Sequence, residues 1–411
     1  MEVKSEMITS DGTEINNFLA RNRPRKSKVL LVEPAYYTRY PPLGLLKLAS
    51  HHKLLGDTVE LVHGCQATSR EPDKVYVTSL FTYAWEPVHQ AVAYYKNAFP
   101  NAKMVLGGIY ATLMPEHAAL SEADEIHAGL FEEAEGFLPD YSLVPDWQQS
   151  IVFSHRGCVN CCPYCAVPRL EPGNGPIRVK SIRHLIAPGH KKVVLWDNNL
   201  LGATNWRDLI AELKEIGLSV DFNQGLDARR ITEEVAQEFK GLRITPIRMA
   251  YDLPSERKAL ARAIPTLEAV GFRRRRMIVY TLYNYEDSPE DFFDRIRDLL
   301  EWGVVAYPMR FEPLDSLKKN QHIGPRWTTE QLEMVARARR VIGYGGAFPP
   351  YEGLRKKFAT AKSFEQAFVL RPRKYDRQFE MAGTCLVSAG GISDGQKGDS
   401  QGHIGDTLPP F

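Results

Sequence analysis

The sequence predicts an α/β protein. It is expected to have an N-terminal Rossmann-like parallel sheet domain, a partial (β/α)6 TIM-type barrel and a helical C-terminal extension. Short apolar segments alternate with helical patterns in two successive regions, which is typical of parallel sheets covered by helices. The length of 411 residues is too great for one core. We expect a flexible lead-in over 1–27, α/β domains over 28–147 and 148–317, a basic helical segment over 318–380 and a disordered tail over 381–411.

The first domain is predicted from a regular series of short apolar segments. A helix is expected from about Leu43 and another over His89–Asn97, between strands. The predicted strands are Val29–Val32, Val59–Val62, Val75–Ser79 and Met104–Leu106.

The second domain repeats the alternation from Ile151 onward. Helical patterns are clearest at Trp206–Ile216, Glu256–Val270 and Pro289–Trp302. Chemistry in such barrels collects at the C-terminal ends of the strands. The six predicted strands are Ile151–Ser154, Val193–Trp196, Leu218–Asn223, Ile244–Tyr251, Met277–Leu282 and Val304–Phe311.

Composition favours a cytoplasmic protein without a membrane segment. Charged residues make up 25% of the chain, no stretch of about 18 apolar residues occurs, and the N-terminus is polar. Charge is uneven: residues 29–150 hold seven Lys/Arg against fifteen Asp/Glu, and residues 318–380 hold fourteen against six. The basic segment fits a nucleic-acid surface, a solvated face or a contact between domains.

Four of the six cysteines lie within eight positions, which indicates a metal site rather than disulfides. A single zinc ion would need two CxxC pairs with a spacer, and here the pairs are adjacent. Cys158, Cys162 and Cys165 instead form CxxxCxxC, which can hold three irons of a 4Fe–4S cluster and leave the fourth iron open. Cys161 is an extra cysteine, either a bystander or a competing ligand.

This motif resembles that of the radical S-adenosylmethionine (SAM) superfamily. Arg156-Gly157 before it and Pro163-Tyr164 within it match the common form, and the resemblance extends over residues 151–315. It implies that SAM binds the open iron and is cleaved to a 5′-deoxyadenosyl radical, with Tyr164 near the adenine. It also implies an external electron donor of the flavodoxin or ferredoxin type.

Polar side chains at the predicted strand ends are candidates for contact with SAM or substrate. Asp197 and Asn199 follow the second barrel strand, although Asn199 is equally suited to cap a helix. Gln224 and Arg229 follow the third, and the resemblance suggests the ribose and carboxylate as their targets. A surface salt bridge is the alternative for Arg229. The remaining candidates are Tyr280, Thr281, Arg310 and Glu312.

The N-terminal domain carries a second set of candidate cofactor residues. They lie at predicted strand ends, in PPLG, TS and GG motifs: Leu43, Gly44, Thr78, Ser79, Gly107 and Gly108. Their order resembles the cobalamin-binding domain fused to many radical SAM enzymes. No D-x-H-x-x-G stands in the first loop, so a histidine below cobalt is not expected. The alternative is a degenerate domain without a cofactor.

These features predict a radical SAM enzyme. With cobalamin, the resemblance implies methylation or a related modification of an unactivated carbon. Without it, an oxidoreductase or a methylthiotransferase-like enzyme acting on RNA is the alternative, although only Cys65 could serve a second cluster in the N-terminal domain. A non-catalytic metal-binding module of a nucleic-acid complex is the alternative from another class. The substrate stays open. Phe364 and Phe368, four residues apart, favour a helix packed on the core.

Overall fold

The structure is a computed structural model that describes residues 26–171 and 179–370. The expected lead-in up to residue 25, the end of the basic segment (371–380) and the expected tail over 381–411 lie outside the described residues. Within the described ranges, no helix combines the length and apolarity that crossing a lipid bilayer requires.

The N-terminal domain is a five-stranded parallel sheet in the order β2-β1-β3-β4-β5. Buried aliphatic side chains of β1, β3 and β4 form its core. The strand β5 is missing from the sequence prediction because its three half-buried residues make no apolar run. The strands are β1 Lys28–Glu33, β2 Thr58–His63, β3 Lys74–Ser79, β4 Lys103–Gly108 and β5 Glu125–His127. The helices are α1 Leu43–Leu54, α2 Trp85–Ala98, α3 Ile109–Leu113, α4 Pro115–Ala119 and α5 Glu132–Glu135.

The second domain is a curved arrangement of parallel strands, which confirms the predicted fold class. A parallel bridge between Leu226 and Met249 joins the group β6-β7-β8-β9 to the group β10-β11-β12. The strands are β6 Ser150–Val152, β7 Lys192–Leu195, β8 Ser219–Phe222, β9 Arg243–Ile244, β10 Ile247–Ala250, β11 Met277–Tyr283 and β12 Val305–Arg310. The helices are α6 Val167–Leu170, α7 Trp206–Ile216, α8 Glu233–Phe239, α9 Arg257–Ala269 and α10 Pro289–Glu301.

One predicted barrel strand is wrong in its extent. The segment predicted as Ile244–Tyr251 forms two strands, because β9 pairs with β8 whereas β10 pairs with β11. Pro246 lies between them and has no N–H to donate to a ladder. The apolar pattern runs through this break and therefore hides it.

The C-terminal segment packs on the barrel through three helices, α11 Thr329–Val341, α12 Glu352–Thr360 and α13 Phe364–Phe368. Phe364 and Phe368 are fully buried, which confirms their predicted place in the core. Phe348 forms an antiparallel bridge with Ala306 of β12. This bridge covers the edge of the last barrel strand.

The two α/β domains contact each other through aromatic side chains. Tyr40 follows β1, and its ring packs edge-on against Trp147 and Trp196 at centroid distances of 5.4 and 5.3 Å. Its hydroxyl accepts a 2.7 Å hydrogen bond from Asn223 at the end of β8. The first loop of the sheet domain is therefore anchored in the mouth of the barrel.

Candidate functional site

The cysteine motif forms a loop directly after β6. Cys158, Cys162 and Cys165 are half-buried and Cys161 is exposed. A turn closes the loop, since the Cys165 N–H donates to the Cys162 carbonyl at 3.0 Å. Burial raises the pKa of the Cys162 and Cys165 thiols. Cysteines bind metals as thiolates, so insertion of a cluster would release protons here.

The donor set fits an iron–sulfur cluster better than a single ion. Within the described parts of the chain, no three His, Cys, Asp or Glu side chains are arranged to hold one metal ion. A 4Fe–4S cluster does not require that arrangement, because each of its cysteines binds a different iron.

Asp197 ties the base of the loop to the end of β7. Its Oδ1 accepts hydrogen bonds from the Ser154 N–H and hydroxyl and from the His155 N–H at 2.7–2.9 Å. His155 Nδ1 also lies 2.7 Å from this oxygen. Burial alone lowers the pKa of His155, but Asp197 outweighs that effect and raises it. The Asp197 Oδ2 is buried without a hydrogen-bond partner in the described structure.

Arg156 and Glu171 close the loop from both ends. Arg156 Nη1 donates to Glu171 Oε1 at 3.0 Å, and the Gly157 N–H donates to Glu171 Oε2. Two further donors of Arg156 bind Glu135 of α5 at 2.8–2.9 Å. Sequence reasoning missed Glu135 and Glu171. The arginine before the motif signals a need for carboxylates, but spacing does not reveal which ones.

The candidates Asn199 and Arg229 both donate hydrogen bonds to Asp227. Asn199 Oδ1 accepts from the Gly202 N–H at 3.1 Å and so caps the short turn after β7. Arg229 donates two hydrogen bonds of 2.8 and 2.9 Å to Asp227. Gln224 Nε2 lies 3.5 Å from the side chain of the neighbouring Asn223. Contact of these side chains with a ligand stays a prediction.

Tyr164 lies within the cysteine loop and reaches the opposite side of the barrel. Its hydroxyl donates to Asp252 Oδ2 at 3.3 Å, and its ring packs edge-on against Tyr285. Burial, followed by the neighbouring Glu256, raises the pKa of Asp252 to about 6. Tyr164 therefore links the cysteine loop to the residues that follow β10.

The barrel interior contains a buried ionic network. Asp221 of β8 pairs with Arg248 of β10 and with Lys192 of β7. Arg248 also donates a 3.2 Å hydrogen bond to the Tyr280 hydroxyl. Tyr280 is therefore already bonded to a cation. Buried side-chain atoms without a partner in the described chain include Thr281 Oγ1, Arg310 Nε and Glu312 Oε2.

A cavity of about 970 Å³ lies between the sheet domain and the barrel. It opens at the carboxyl ends of β1 and β3, where the strand order of the sheet reverses, and such switch points bind ligands in open α/β sheets. Five of the six predicted positions line it: Leu43, Gly44, Thr78, Ser79 and Gly108. From the barrel side the lining includes Phe153, Arg156, Glu171, Trp196 and Asn198.

The predicted glycines have different roles at this cavity. A Cβ added to Gly44 meets nothing within 4 Å, so this position is open. Gly108 has a φ of +101°, and a Cβ there would collide with the Ser79 backbone, so close packing of β4 on β3 requires this glycine. Gly107 does not line the cavity and lies against His127 and Phe131. The Ser79 hydroxyl donates to the Gly107 carbonyl at 2.7 Å.

Comparisons with known proteins identify the fold. No protein-family model matches the chain, and no curated protein matches it significantly. The radical SAM methyltransferase TsrM from Kitasatospora setae, solved with cobalamin and a [4Fe–4S] cluster, aligns over 71% of this chain and 77% of its own, with 15% identity and a TM-score of 0.53. The chain therefore shares the fold of this methyltransferase.

Two further structures complete the comparison. TsrM with its tryptophan substrate and the SAM analogue aza-SAM aligns over 77% of each chain, with 14% identity and a TM-score of 0.54. Coproporphyrinogen III oxidase (HemN) from Escherichia coli is 12% identical over 51% of this chain and 57% of its own. Its TM-score of 0.34 is too low to support a conclusion.

Proposed function

We propose that this protein is a radical SAM enzyme that binds a 4Fe–4S cluster through Cys158, Cys162 and Cys165. The observation that carries the proposal is the position of these thiols on one loop, at the carboxyl end of the first strand in a barrel with the TsrM fold. When reduced by an external donor, such a cluster supplies the electron that cleaves SAM to a 5′-deoxyadenosyl radical.

The chain's own residues order the loop and provide polar contacts for SAM. Asp197 and Glu171 hold the ends of the loop through backbone and side-chain hydrogen bonds. Buried polar atoms are normally hydrogen-bonded, so Asp197 Oδ2 and Thr281 Oγ1 are candidate partners for the bound nucleoside or amino acid. Asp197 follows β7 and Thr281 lies in the last half of β11, near the strand ends where ligands of this fold class bind.

Cobalamin is proposed as the occupant of the cavity between the domains. A volume of about 970 Å³ suits a large cofactor, and the lining combines aromatic side chains with the open Gly44. The described lining contains no histidine, which agrees with binding without a histidine below cobalt. Cobalamin held there would supply a methyl carrier for modification of an unactivated carbon.

Anaerobic reconstitution tests the proposed cluster. We expect about four irons and four sulfides per chain, and formation of 5′-deoxyadenosine with dithionite and SAM above the level of a triple-cysteine variant. One zinc ion without sulfide would contradict the proposal and support a non-catalytic module.

Hydroxocobalamin tests the cavity separately. Co-elution with the protein and a changed cobalamin spectrum are expected. Binding of the cluster without cobalamin would favour the oxidoreductase or methylthiotransferase-like alternative, because the proposed methyl carrier would then be missing.

A further inference from the structure

A chain of charged, largely half-buried side chains links the N-terminal domain to the cysteine loop. Lys47 of α1 donates to the Glu135 carbonyl at 3.0 Å and to its carboxylate at 3.2 Å. Glu135 accepts hydrogen bonds from Nε and Nη2 of Arg156, and the Nη1 of Arg156 donates to Glu171. Asn198 completes the set by donating to Glu171 Oε2 at 3.1 Å. We call these five residues the Arg156 clamp.

The clamp is built to fix one position of Arg156. The Arg156 and Glu171 side chains are each 12% exposed. Two carboxylates on different sides of a planar guanidinium leave it little rotational freedom. The guanidinium also stacks on Phe153, with 3.4 Å between its Cζ and the ring centroid.

The neighbouring positive charges of Arg156 and Lys47 affect the pKa of Glu135. Burial alone raises the pKa of Glu135, but Arg156 and Lys47 outweigh burial and hold the pKa below its usual value. Glu135 is therefore ionised at neutral pH, and replacing it removes one of the two carboxylates that bind Arg156. Unpaired buried charges are costly, so the loop would move to rehydrate the guanidinium.

The position of the clamp relates it to the cluster site. Arg156 precedes Cys158 by two residues, and Glu171 follows Cys165 by six, so the clamp brackets all three predicted ligands. Arg156, Glu171 and Asn198 also form one wall of the cavity between the domains. Partners that orient a metal-binding loop commonly tune how tightly the metal is held.

We propose that Glu135 is a positioning residue for the iron–sulfur cluster, which it holds in place from the N-terminal domain through Arg156. This inference rests on the proposed function, since it concerns the same cysteine loop. The N-terminal domain is then a structural part of the cluster site as well as a cover over the barrel.

Glu135→Gln tests the inference, with Glu133→Gln as the matched control. Both residues lie on α5 and both variants lose one negative charge, but Glu133 is exposed. In reconstituted protein with an iron chelator, we expect the absorbance near 400 nm to disappear about tenfold faster in Glu135→Gln than in wild type or Glu133→Gln. Equal rates in the two variants would overturn the proposal.

A double-mutant cycle with Arg156→Gln, which removes the positive charge, separates positioning from general destabilisation. If Glu135 acts through Arg156, the double variant releases iron no faster than Arg156→Gln alone. Multiplied effects would show that Glu135 acts by another route and would overturn the proposal. Circular dichroism would show whether Glu135→Gln unfolds. In that case Lys47→Met is the second variant: it removes the hydrogen bond from Lys47 to the Glu135 carboxylate and is expected to accelerate iron release by a smaller factor.

Hydrogen exchange distinguishes failure of the inference from failure of the proposed function. In protein before reconstitution, amides of residues 154–171 are expected to exchange faster in Glu135→Gln than in Glu133→Gln. If wild type takes up no cluster, the proposed function fails, and this faster exchange would leave only a loop-ordering role. Unchanged exchange would reject the clamp itself.

Discussion

The carboxyl edge of the N-terminal sheet and the mouth of the barrel are both predicted cofactor sites, and they differ in how their polar groups are used. At the sheet edge, Gly44 and Thr78 line a cavity of about 970 Å³. At the barrel mouth, the predicted side chains already bond to protein groups: Arg229 to Asp227, and Tyr280 to Arg248. The sheet-edge residues line an open cavity, whereas the side chains at the barrel mouth are bonded to other protein groups.

The difference shows what a strand-end position indicates. It places a side chain at the edge where ligands bind, but the neighbouring elements decide whether that side chain remains available. Asp197 illustrates both outcomes, because one oxygen binds the cysteine loop while the other is buried without a partner in the described structure. Four sets of variants test this difference between the two sites.

The largest effect is expected at the cysteine loop. Cys158→Ala, Cys162→Ala and Cys165→Ala should each abolish the absorbance near 400 nm after anaerobic reconstitution, because each removes a thiolate that holds one iron. Cys161→Ala is the control and should retain the absorbance, since Cys161 is exposed. An equal loss of absorbance in Cys161→Ala would contradict the assignment of Cys158, Cys162 and Cys165 as the ligands.

The buried network of the barrel should respond next. Arg248→Met leaves Asp221, which is 2% exposed, without its arginine partner, and we expect a loss of about 3 kcal/mol in the free energy of unfolding. Arg337→Met removes the exposed pair with Glu333 and serves as control, with no measurable loss. Denaturant unfolding measures both. Similar stabilities would mean that the interior of the barrel is hydrated.

The open sheet edge should respond through binding rather than stability. Gly44→Leu fills the cavity, so we expect hydroxocobalamin affinity to fall about tenfold or more, as when a side chain occupies the space of a ligand. Gly353→Leu is a matched control, because each glycine is the second residue of a helix with no atom within 4 Å of an added Cβ. Both variants should keep their thermal stability, since leucine favours helices.

Unchanged affinity in Gly44→Leu would place cobalamin elsewhere. Equal weakening in Gly353→Leu would show that the effect does not arise in the cavity.

The smallest effect is a pH dependence at the base of the loop. Asp197 raises the pKa of His155 above its ordinary value of 6.5, so this pair stabilises the fold below that pH and loses its contribution as pH rises through the folded-state pKa. The difference in melting temperature between wild type and His155→Gln should therefore shrink from pH 6 to pH 9. A constant difference would show that His155 does not change charge.

Much of the fold follows from local pattern. Most of the barrel strands and helices such as α7 are predictable because apolar residues repeat at the periods of strands and helices. Two features cannot be predicted from local pattern. The short strand β5 lacks an apolar run, and the division between β9 and β10 depends on which neighbour each segment pairs with. Pairing is a property of the whole sheet.

The candidate site divides in the same way. The cysteine motif is visible because its ligands are adjacent in sequence. Glu135 and Glu171 are not visible in the sequence. Glu135 meets Arg156 only after the two domains have packed together, and Glu171 meets it only once the cysteine loop has folded. Gly108 lines the cavity, but its positive φ serves close contact with the Ser79 backbone, which no sequence pattern reveals.

The anchoring of Tyr40 has a consequence for dividing the molecule. Cutting the chain between its two α/β domains would leave the Tyr40 hydroxyl without its hydrogen bond from Asn223. It would also expose the indole rings of Trp147 and Trp196. Each half would then expose an aromatic patch that favours self-association. The pair therefore behaves as one inseparable unit, in contrast to fused domains that can be exchanged between proteins.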